Sequence, residues 1–331
     1  MSTAPPQSSW RFCIAPMMKY TDTNYRFFAR LLSKNARLYT EMVVAPAITK
    51  GDKQRFLRRE PEESPVALQL GGSDPRELAT AAAIGEQHGF DEINLNIGCP
   101  SDRVQAGEFG ACLMAKPELV ARCVSEIKQK VSIPVTVKSR IGIDEQDSYD
   151  FLKQFVQRIY DGGADALIVH ARKAILSGLS PAENRSIPPL HYDTVYSLVD
   201  DFSSLPIVIN GGIQNLEHSQ EHLAKCHGVM LGRAATANPF LLSQVDRQLF
   251  KDSQSPVSRD EILAHYLTFV QRYWQSGRSK QMMIKPLYGL YLGCPGAKQW
   301  RRNLNAAIHE PRPPELDSLL VHSSPYEISA P

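Results

Sequence analysis

Short runs of β-branched and other apolar residues alternate with stretches of helical periodicity from the N-terminus to about residue 250. The runs are Phe12–Ala15, Leu38–Val44, Val66–Leu70, Glu92–Asn96, Val135–Ser139, Ala166–His170, Ile207–Asn210 and Val229–Leu231. Between and after them the pattern predicts helices over Thr21–Ser33, Asp74–His88, Lys116–Lys130, Ser148–Asp161, Tyr192–Phe202, Asn215–Ala224 and Ala234–Leu249, several opened by capping residues or an early proline. Mostly apolar strands followed by helices are the mark of a parallel sheet covered on its outer face, and eight such units match a closed parallel barrel, the TIM (β/α)8 barrel. An open doubly wound sheet is the competing α/β architecture.

The downstream ends of the runs decide between the two. They carry Pro16-Met17-Met18, Thr40-Glu41, Gln69-Leu70-Gly71-Gly72, Asn96-Ile97-Gly98-Cys99-Pro100, Lys138-Ser139-Arg140, His170-Ala171-Arg172, Asn210-Gly211-Gly212 and Gly232-Arg233. An open sheet concentrates its chemistry at one switch point, whereas a barrel collects it from every strand at the C-terminal rim. Eight chemically loaded ends favour the barrel. After about residue 255 the strand signal stops, and helices are expected over Arg259–Trp274, Lys280–Leu292 and Ala297–Ile308. The chain therefore divides into a barrel over residues 1–250, an all-helical C-terminal domain over 251–310, and a Pro- and Ser-rich tail over 311–331 that reads as disordered.

Composition changes this picture only by exclusion. With 331 residues, 43% hydrophobic and 22% charged, the chain has ordinary globular make-up. No apolar run approaches the roughly 18 residues of a membrane span, and the first nine residues lack the character of a secretory signal, so a cytoplasmic location is expected, with no membrane partner. The six cysteines include no C-x-x-C pair, which argues against a zinc centre and a disulfide framework. The net charge of +2 hides an asymmetry: between Ile262 and His309 there are seven Lys or Arg and no Asp or Glu, leaving 30 basic against 35 acidic residues elsewhere. A local basic excess of this kind suits a polyanionic partner, or a solvated cationic helix face. Seven aromatics share the stretch, and their helical spacing assigns most of them to the core.

Candidate chemistry sits at the strand ends. Asn210-Gly211-Gly212 and Gly232-Arg233 each open a helix after the last two strands, where barrels commonly bind phosphate, and Arg233 adds a cation. The anion could belong to a substrate or a cofactor. Lys138 and His170 project beside that site, and a lysine there needs an anion such as the N1–O2 edge of a reduced flavin. Gln69 offers a donor and an acceptor to a flavin or pyrimidine edge. Cys99, on a loop shaped by Gly98 and Pro100, can act as a nucleophile or as a general acid. His218-Ser219-Gln220-Glu221-His222 matches a zinc-protease pattern but falls in a helix away from the rim, so no metal is expected.

Taken together, Ala15-Pro16-Met17, Thr40-Glu41-Met42, Gln69–Gly72, Asn94–Pro100, Val137–Arg140, Val169–Arg172, Asn210–Ile213 and Gly232-Arg233 resemble the tRNA-dihydrouridine synthases. The runs Gly107–Leu113 and Leu179–Pro188 resemble the bacterial A-type subfamily, which acts on D-loop uridines at tRNA positions 20 and 20a. The resemblance implies bound FMN, with Pro16, Met17, Met18 and Gln69 against the ring and Lys138 at its N1–O2 edge. His170, Asn210, Gly211, Gly212, Gly232 and Arg233 would hold the ring or its phosphate tail. It further implies NADPH as transient reductant, Cys99 as proton donor and Asn96 as the group holding uracil. Glu183, Asn184, Arg185, Gln299 and Arg302 are the implied tRNA contacts, and no obligatory protein partner is indicated. A flavin barrel acting on a free small molecule would share the phosphate loops but leave the acid-free helical region unexplained. A non-catalytic tRNA-binding module would leave Cys99 without a role.

Overall fold

The computed structural model describes residues 7–253 and 257–320. Among these residues nine strands form one parallel sheet: β1 Phe12–Ile14, β2 Leu38–Tyr39, β3 Val43–Val44, β4 Val66–Gly71, β5 Glu92–Ile97, β6 Val135–Arg140, β7 Ala166–His170, β8 Ile207–Asn210 and β9 Gly228–Leu231. Each of β4 to β8 pairs with its successor, β9 pairs with β1, and β2 and β3 both pair with β4. The ring closes where Cys13 bridges Arg37 in parallel, with Ile14 N–H donating to the Arg37 carbonyl at 2.9 Å. This is the expected TIM barrel. The run Leu38–Val44 is two short strands rather than one, because the chain leaves the sheet at Thr40–Met42.

Helices follow the strands: α1 Thr23–Leu32, α2 Ala45–Thr49, α3 Lys53–Phe56, α4 Pro75–Gln87, α5 Asp102–Ala106, α6 Pro117–Lys128, α7 Tyr149–Asp161, α8 Tyr192–Asp201, α9 Leu216–Leu223, α10 Arg233–Ala237 and α11 Val245–Phe250. Side chains of Asp22, Asp74, Ser148 and Asn215 accept from backbone N–H groups of the first turns of α1, α4, α7 and α9, as their sequence positions require. The helix expected over Ala234–Leu249 is interrupted. Pro239 has no N–H to continue the ladder, so α10 stops, a 3-10 turn spans Pro239–Gln244, and α11 begins afresh. The short α2 and α3, between β3 and β4, carry no periodicity long enough to be foreseen.

Strand alternation divides the core into two layers. Ile93, Leu95 and Ile97 of β5 belong to the large cluster between sheet and helices, whereas Trp10, Cys13, Tyr39, Ala67, Ile168, Val208 and Met230 fill the barrel interior. The other face of β5 is polar: Glu92 and Asn94 are fully buried and Asn96 half-buried. This strand is not the apolar run expected of a covered parallel sheet.

The helical region comprises α12 Arg259–Tyr273, α13 Lys280–Ile284, α14 Ala297–Ala307 and α15 Leu316–Leu319. The helix expected over Lys280–Leu292 ends at Ile284, where Pro286 turns the chain into a 3-10 segment. Its core is continuous with that of the barrel. Phe27 of α1 stacks on Phe269 at 4.3 Å, Phe28 meets Tyr266 edge-on at 5.0 Å, and Glu60 accepts from Tyr273 Oη at 2.9 Å and pairs with Arg278 at 3.2 Å. The segment read as a disordered tail is ordered as far as Leu320. Trp274 Nε1 donates to the Pro311 carbonyl, Asn303 donates to the Leu319 carbonyl, and Leu319 is buried. Proline there restricts the backbone without preventing a buried leucine from docking, and residues 321–331 lie outside the described residues. Phe269→Ala should cost about 3–5 kcal/mol, the usual loss for emptying a buried aromatic site. Urea unfolding followed by circular dichroism and tryptophan fluorescence checks this, and the shared core predicts one coincident transition for the parent.

Candidate active site at the barrel mouth

At the mouth, parallel register places Asn96 beside Lys138 and His170 beside Asn210. Asn210 is buried and donates through Nδ2 to the Met230 carbonyl at 2.7 Å, tying the last two strand ends together. Gly211 and Gly212 follow with φ of 116° and 72°, a conformation side chains disfavour. A Cβ on Gly212 would also lie 2.6 Å from Leu190 and 2.8 Å from the Tyr192 hydroxyl. Tyr192 Oη donates to the Gly211 carbonyl at 2.8 Å and so props the turn from behind. A Cβ on Gly232 would meet only Met17 Sδ and Ala15 Cβ, at 3.7 and 3.8 Å, which puts the β1 and β9 ends side by side. Met17 is half-buried and its N–H donates to Thr21 Oγ1, while Met18 stands 60% exposed.

The mouth is strongly cationic. Burial lowers the Lys138 ammonium to about 7, with Arg140 acting in the same direction and the Cys99 sulfur opposing it. Burial and then Arg140, Lys138, Arg172 and Arg233 hold His170 well below the usual histidine range, so it is a neutral imidazole near pH 7. Among the described residues no carboxylate pairs with Lys138, and the buried Nδ1 of His170 has no hydrogen-bond partner. A mouth built of cations and an unpartnered polar atom is arranged to receive an anion with hydrogen-bonding edges.

Cys99 is half-buried, its Sγ 3.5 Å from Ser101 Oγ. Its loop is pinned from two sides. Asn96 Oδ1 accepts from the N–H groups of Gly98 and Cys99 at 3.1 and 3.0 Å. Arg140, buried and lowered to about 10 by that burial, donates to the carbonyls of Gly98, Lys173 and Asn184. Beneath Asn96 a chain of hydrogen bonds descends through the barrel. Asn96 Nδ2 donates to Gln69 Oε1 (2.9 Å), Gln69 Nε2 to Asn94 Oδ1 (2.7 Å), Asn94 Nδ2 to Thr136 Oγ1 (2.8 Å), and Thr136 to Glu92. Glu92 also accepts from Trp10 Nε1 (2.8 Å), Tyr39 Oη (2.9 Å) and Arg37 Nη1 (3.0 Å).

With this geometry in view, the family model described as Dihydrouridine synthase (Dus) matches residues 13–321. The chain belongs to the dihydrouridine synthase family. It is 53% identical to the tRNA-dihydrouridine(20/20a) synthase of Shewanella oneidensis over 299 residues, covering 90% of this chain and 89% of the relative. It is 52% identical to the protein of the same name from Vibrio vulnificus, covering 92% and 93%. Among solved structures it resembles an old yellow enzyme homologue from Zymomonas mobilis at 11% identity and a TM-score of 0.52, covering 76% of this chain and 92% of that one. A 2-naphthoyl-CoA reductase matches at 10% identity and 0.54, covering 71% of this chain and 49% of that one. At such identities these two likenesses speak for the shared barrel alone.

Other expected contacts of this dihydrouridine synthase family member fall in three places. Arg185 and Glu183 are exposed beside the mouth, with Arg233 Nη2 donating to the Arg185 carbonyl at 3.3 Å and Glu183 accepting from Ser180 N–H at 2.8 Å. Asn184 is a correction. It is fully buried, its Nδ2 donating to the Ile175 carbonyl and its Oδ1 accepting from Ile175 N–H, so its carboxamide braces the loop and is not presented to tRNA. Gln299 and Arg302 are exposed on α14 in the helical region.

Of the seven basic residues there, Arg278 is paired with Glu60, Lys280 donates to the Glu310 carbonyl, and Lys285 donates to the Lys19 carbonyl while lying over Tyr20. Arg272, Lys298, Arg301 and Arg302 keep exposed side chains. Tyr266, Phe269, Trp274 and Trp300 are buried, as their spacing predicts. His218 and His222 face one another at 3.1 Å, and among the described residues no three metal-capable side chains gather.

Sequence reasoning missed Arg140, Glu92, Asn94, Thr136 and Tyr192 as parts of the site. A signal existed for β5 and β6, where polar residues at Glu92, Asn94, Asn96 and at Thr136, Lys138, Arg140 alternate through the strands. Arg140→Met should lower stability by about 3 kcal/mol, the scale of losing bonds from a buried charged donor to carbonyls that stay buried. It should also speed proteolysis between residues 175 and 187, read by denaturant unfolding and limited digestion.

Proposed function

We propose that this chain reduces uridine to 5,6-dihydrouridine in the D-loop of tRNA, at positions 20 and 20a, using bound FMN that NADPH re-reduces. The observation that carries the reading is the cationic mouth containing Cys99, where among the described residues no carboxylate pairs with Lys138, Arg140 or Arg233, in a chain about half identical to synthases of that name. The unpartnered His170 Nδ1, the unpaired Lys138 and the Gly211-Gly212 turn suit a ring with hydrogen-bonding edges and a phosphate tail. Pro16, Met17, Met18 and Gln69 would lie against the flavin ring, with Lys138 at its N1–O2 edge. His170, Asn210, Gly211, Gly212, Gly232 and Arg233 would hold the ring or its phosphate. FMN, when bound and reduced, supplies a hydride for uracil C6.

The chain's own part is positioning and protonation. Asn96 holds the uracil. Cys99 Sγ gives up its proton to C5, so an S–H bond breaks, a C–H bond forms, and the sulfur is left as a thiolate beside Ser101 Oγ. A uridine inside folded tRNA reaches the mouth only if flipped out of its stack. The exposed Arg185 and Glu183 near the mouth, and Gln299 and Arg302 on α14, are the groups assigned to the tRNA around it. Arg302 would contact backbone phosphate, while Glu183 would serve through hydrogen bonding to bases or ribose. A cytoplasmic location follows from a tRNA substrate, and no described helix is long and apolar enough to cross a membrane.

Cys99→Ala should retain FMN absorbance and tRNA binding while losing about 100-fold or more of dihydrouridine formation, as expected when a general acid is removed. Nucleoside mass spectrometry reads the product, and full activity in this variant removes Cys99 from the chemistry. The pH dependence of FMN binding tests Lys138. In the free protein Lys138 titrates at about 7, and a bound anion holds its proton more tightly, so the complex carries more protons above that pH. Affinity should therefore be level below pH 7 and weaken as pH rises beyond it. Lys138→Met should flatten that fall in a fluorescence titration.

A further inference from the structure

Every member of the chain between Asn96 and Thr136 can both donate and accept, so each carboxamide alone would be content in either orientation. The two ends remove that freedom. At the closed end, the fully buried carboxylate of Glu92 only accepts, already facing Trp10, Arg37, Tyr39 and Thr136. At the mouth, the N–H groups of Gly98 and Cys99 only donate. One sense of the chain satisfies both ends. Reversing it would place Asn96 Nδ2 against two N–H groups and the Asn94 carbonyl against a hydroxyl that no longer has a proton to give.

We propose that Glu92 is a positioning residue for the reaction: through Thr136, Asn94 and Gln69 it orients the Asn96 carboxamide and thereby fixes the Cys99 loop. The inference rests on the reading of Cys99 as proton donor. Burial of Asn94 and Thr136 at 0% and of Gln69 at 1% leaves these groups few partners besides one another, so a break at one link is felt at the next. The same polarity determines what the mouth offers. Asn96 Oδ1 is occupied by two N–H groups, and its remaining N–H is a donor, which matches a uracil carbonyl and opposes an amino group in the same place.

Thr136→Val breaks the chain next to Glu92 with little change of shape, Glu92→Gln keeps the shape and removes the acceptor-only end, and Thr136→Ser keeps the hydroxyl. Hydrogen exchange of the Gly98 and Cys99 backbone amides, followed by NMR in the cofactor-free protein, reads the loop directly. The Leu167 amide, which donates to the Pro206 carbonyl, serves as reference. In Thr136→Val and Glu92→Gln, the two loop amides should exchange about tenfold faster with Leu167 unchanged. In the loaded enzyme kcat should fall about tenfold while KM for tRNA stays within twofold. Thr136→Ser should restore most of both. Parent-like exchange and kcat in whichever of the two disrupting variants retains a cooperative melting transition overturns the proposal. If the parent itself forms no dihydrouridine, the reading of Cys99 fails, while the exchange rates still decide whether Glu92 fixes the loop.

Discussion

A carboxylate buried out of reach of solvent has to be matched by donors, and Glu92 meets that demand with an indole, a guanidinium, a phenol and a hydroxyl drawn from three separate segments. Trp10 precedes β1, Arg37 closes the ring between β1 and β2, Tyr39 lies in β2 and Thr136 in β6. The interior of the barrel is thereby organised around one charge, where packed aliphatic layers would be the commoner solution. Such a pair need not stabilise the fold more than an apolar filling would, but it imposes direction on what is built above it.

The mouth inherits that direction. Asn96 faces the Cys99 loop with its carbonyl, Arg140 holds the same loop from the other flank, and Asn184 and Tyr192 brace the loops after β7 and β8. Positive charges gather above this frame without carboxylates to pair with them among the described residues, and burial first, then these charges, lower Lys138 and keep His170 neutral. An anion with hydrogen-bonding edges, as in the proposed cofactor, would offset the cost of crowding these groups.

The helical region is attached by the same physics in an apolar form. Phe27 and Phe28 of α1 present rings to Tyr266 and Phe269, and Glu60 supplies the acid that the basic stretch lacks. A segment that looks in sequence like a uniformly cationic RNA-binding face spends Arg278, Lys280 and Lys285 on its own fold. Arg301 and Arg302 remain on its surface.

Periodicity was enough to read the barrel, because strands and helices announce themselves within a dozen residues and the rim chemistry follows each strand directly. That Gly211, Gly212, Lys138, His170 and Cys99 stand at the strand ends around the mouth was legible for the same reason. Asn184 was not, since in a loop nothing local distinguishes a carboxamide that braces backbone from one that faces a ligand. Nor was the interior chain from Glu92 to Asn96, whose members lie on different strands and acquire meaning only when parallel register sets Gln69 against Asn94 and Asn94 against Thr136. Local sequence determined which elements form and which side chains reach the mouth. Tertiary structure decided how those side chains are oriented, because hydrogen-bond direction is settled by partners that meet only when the barrel closes.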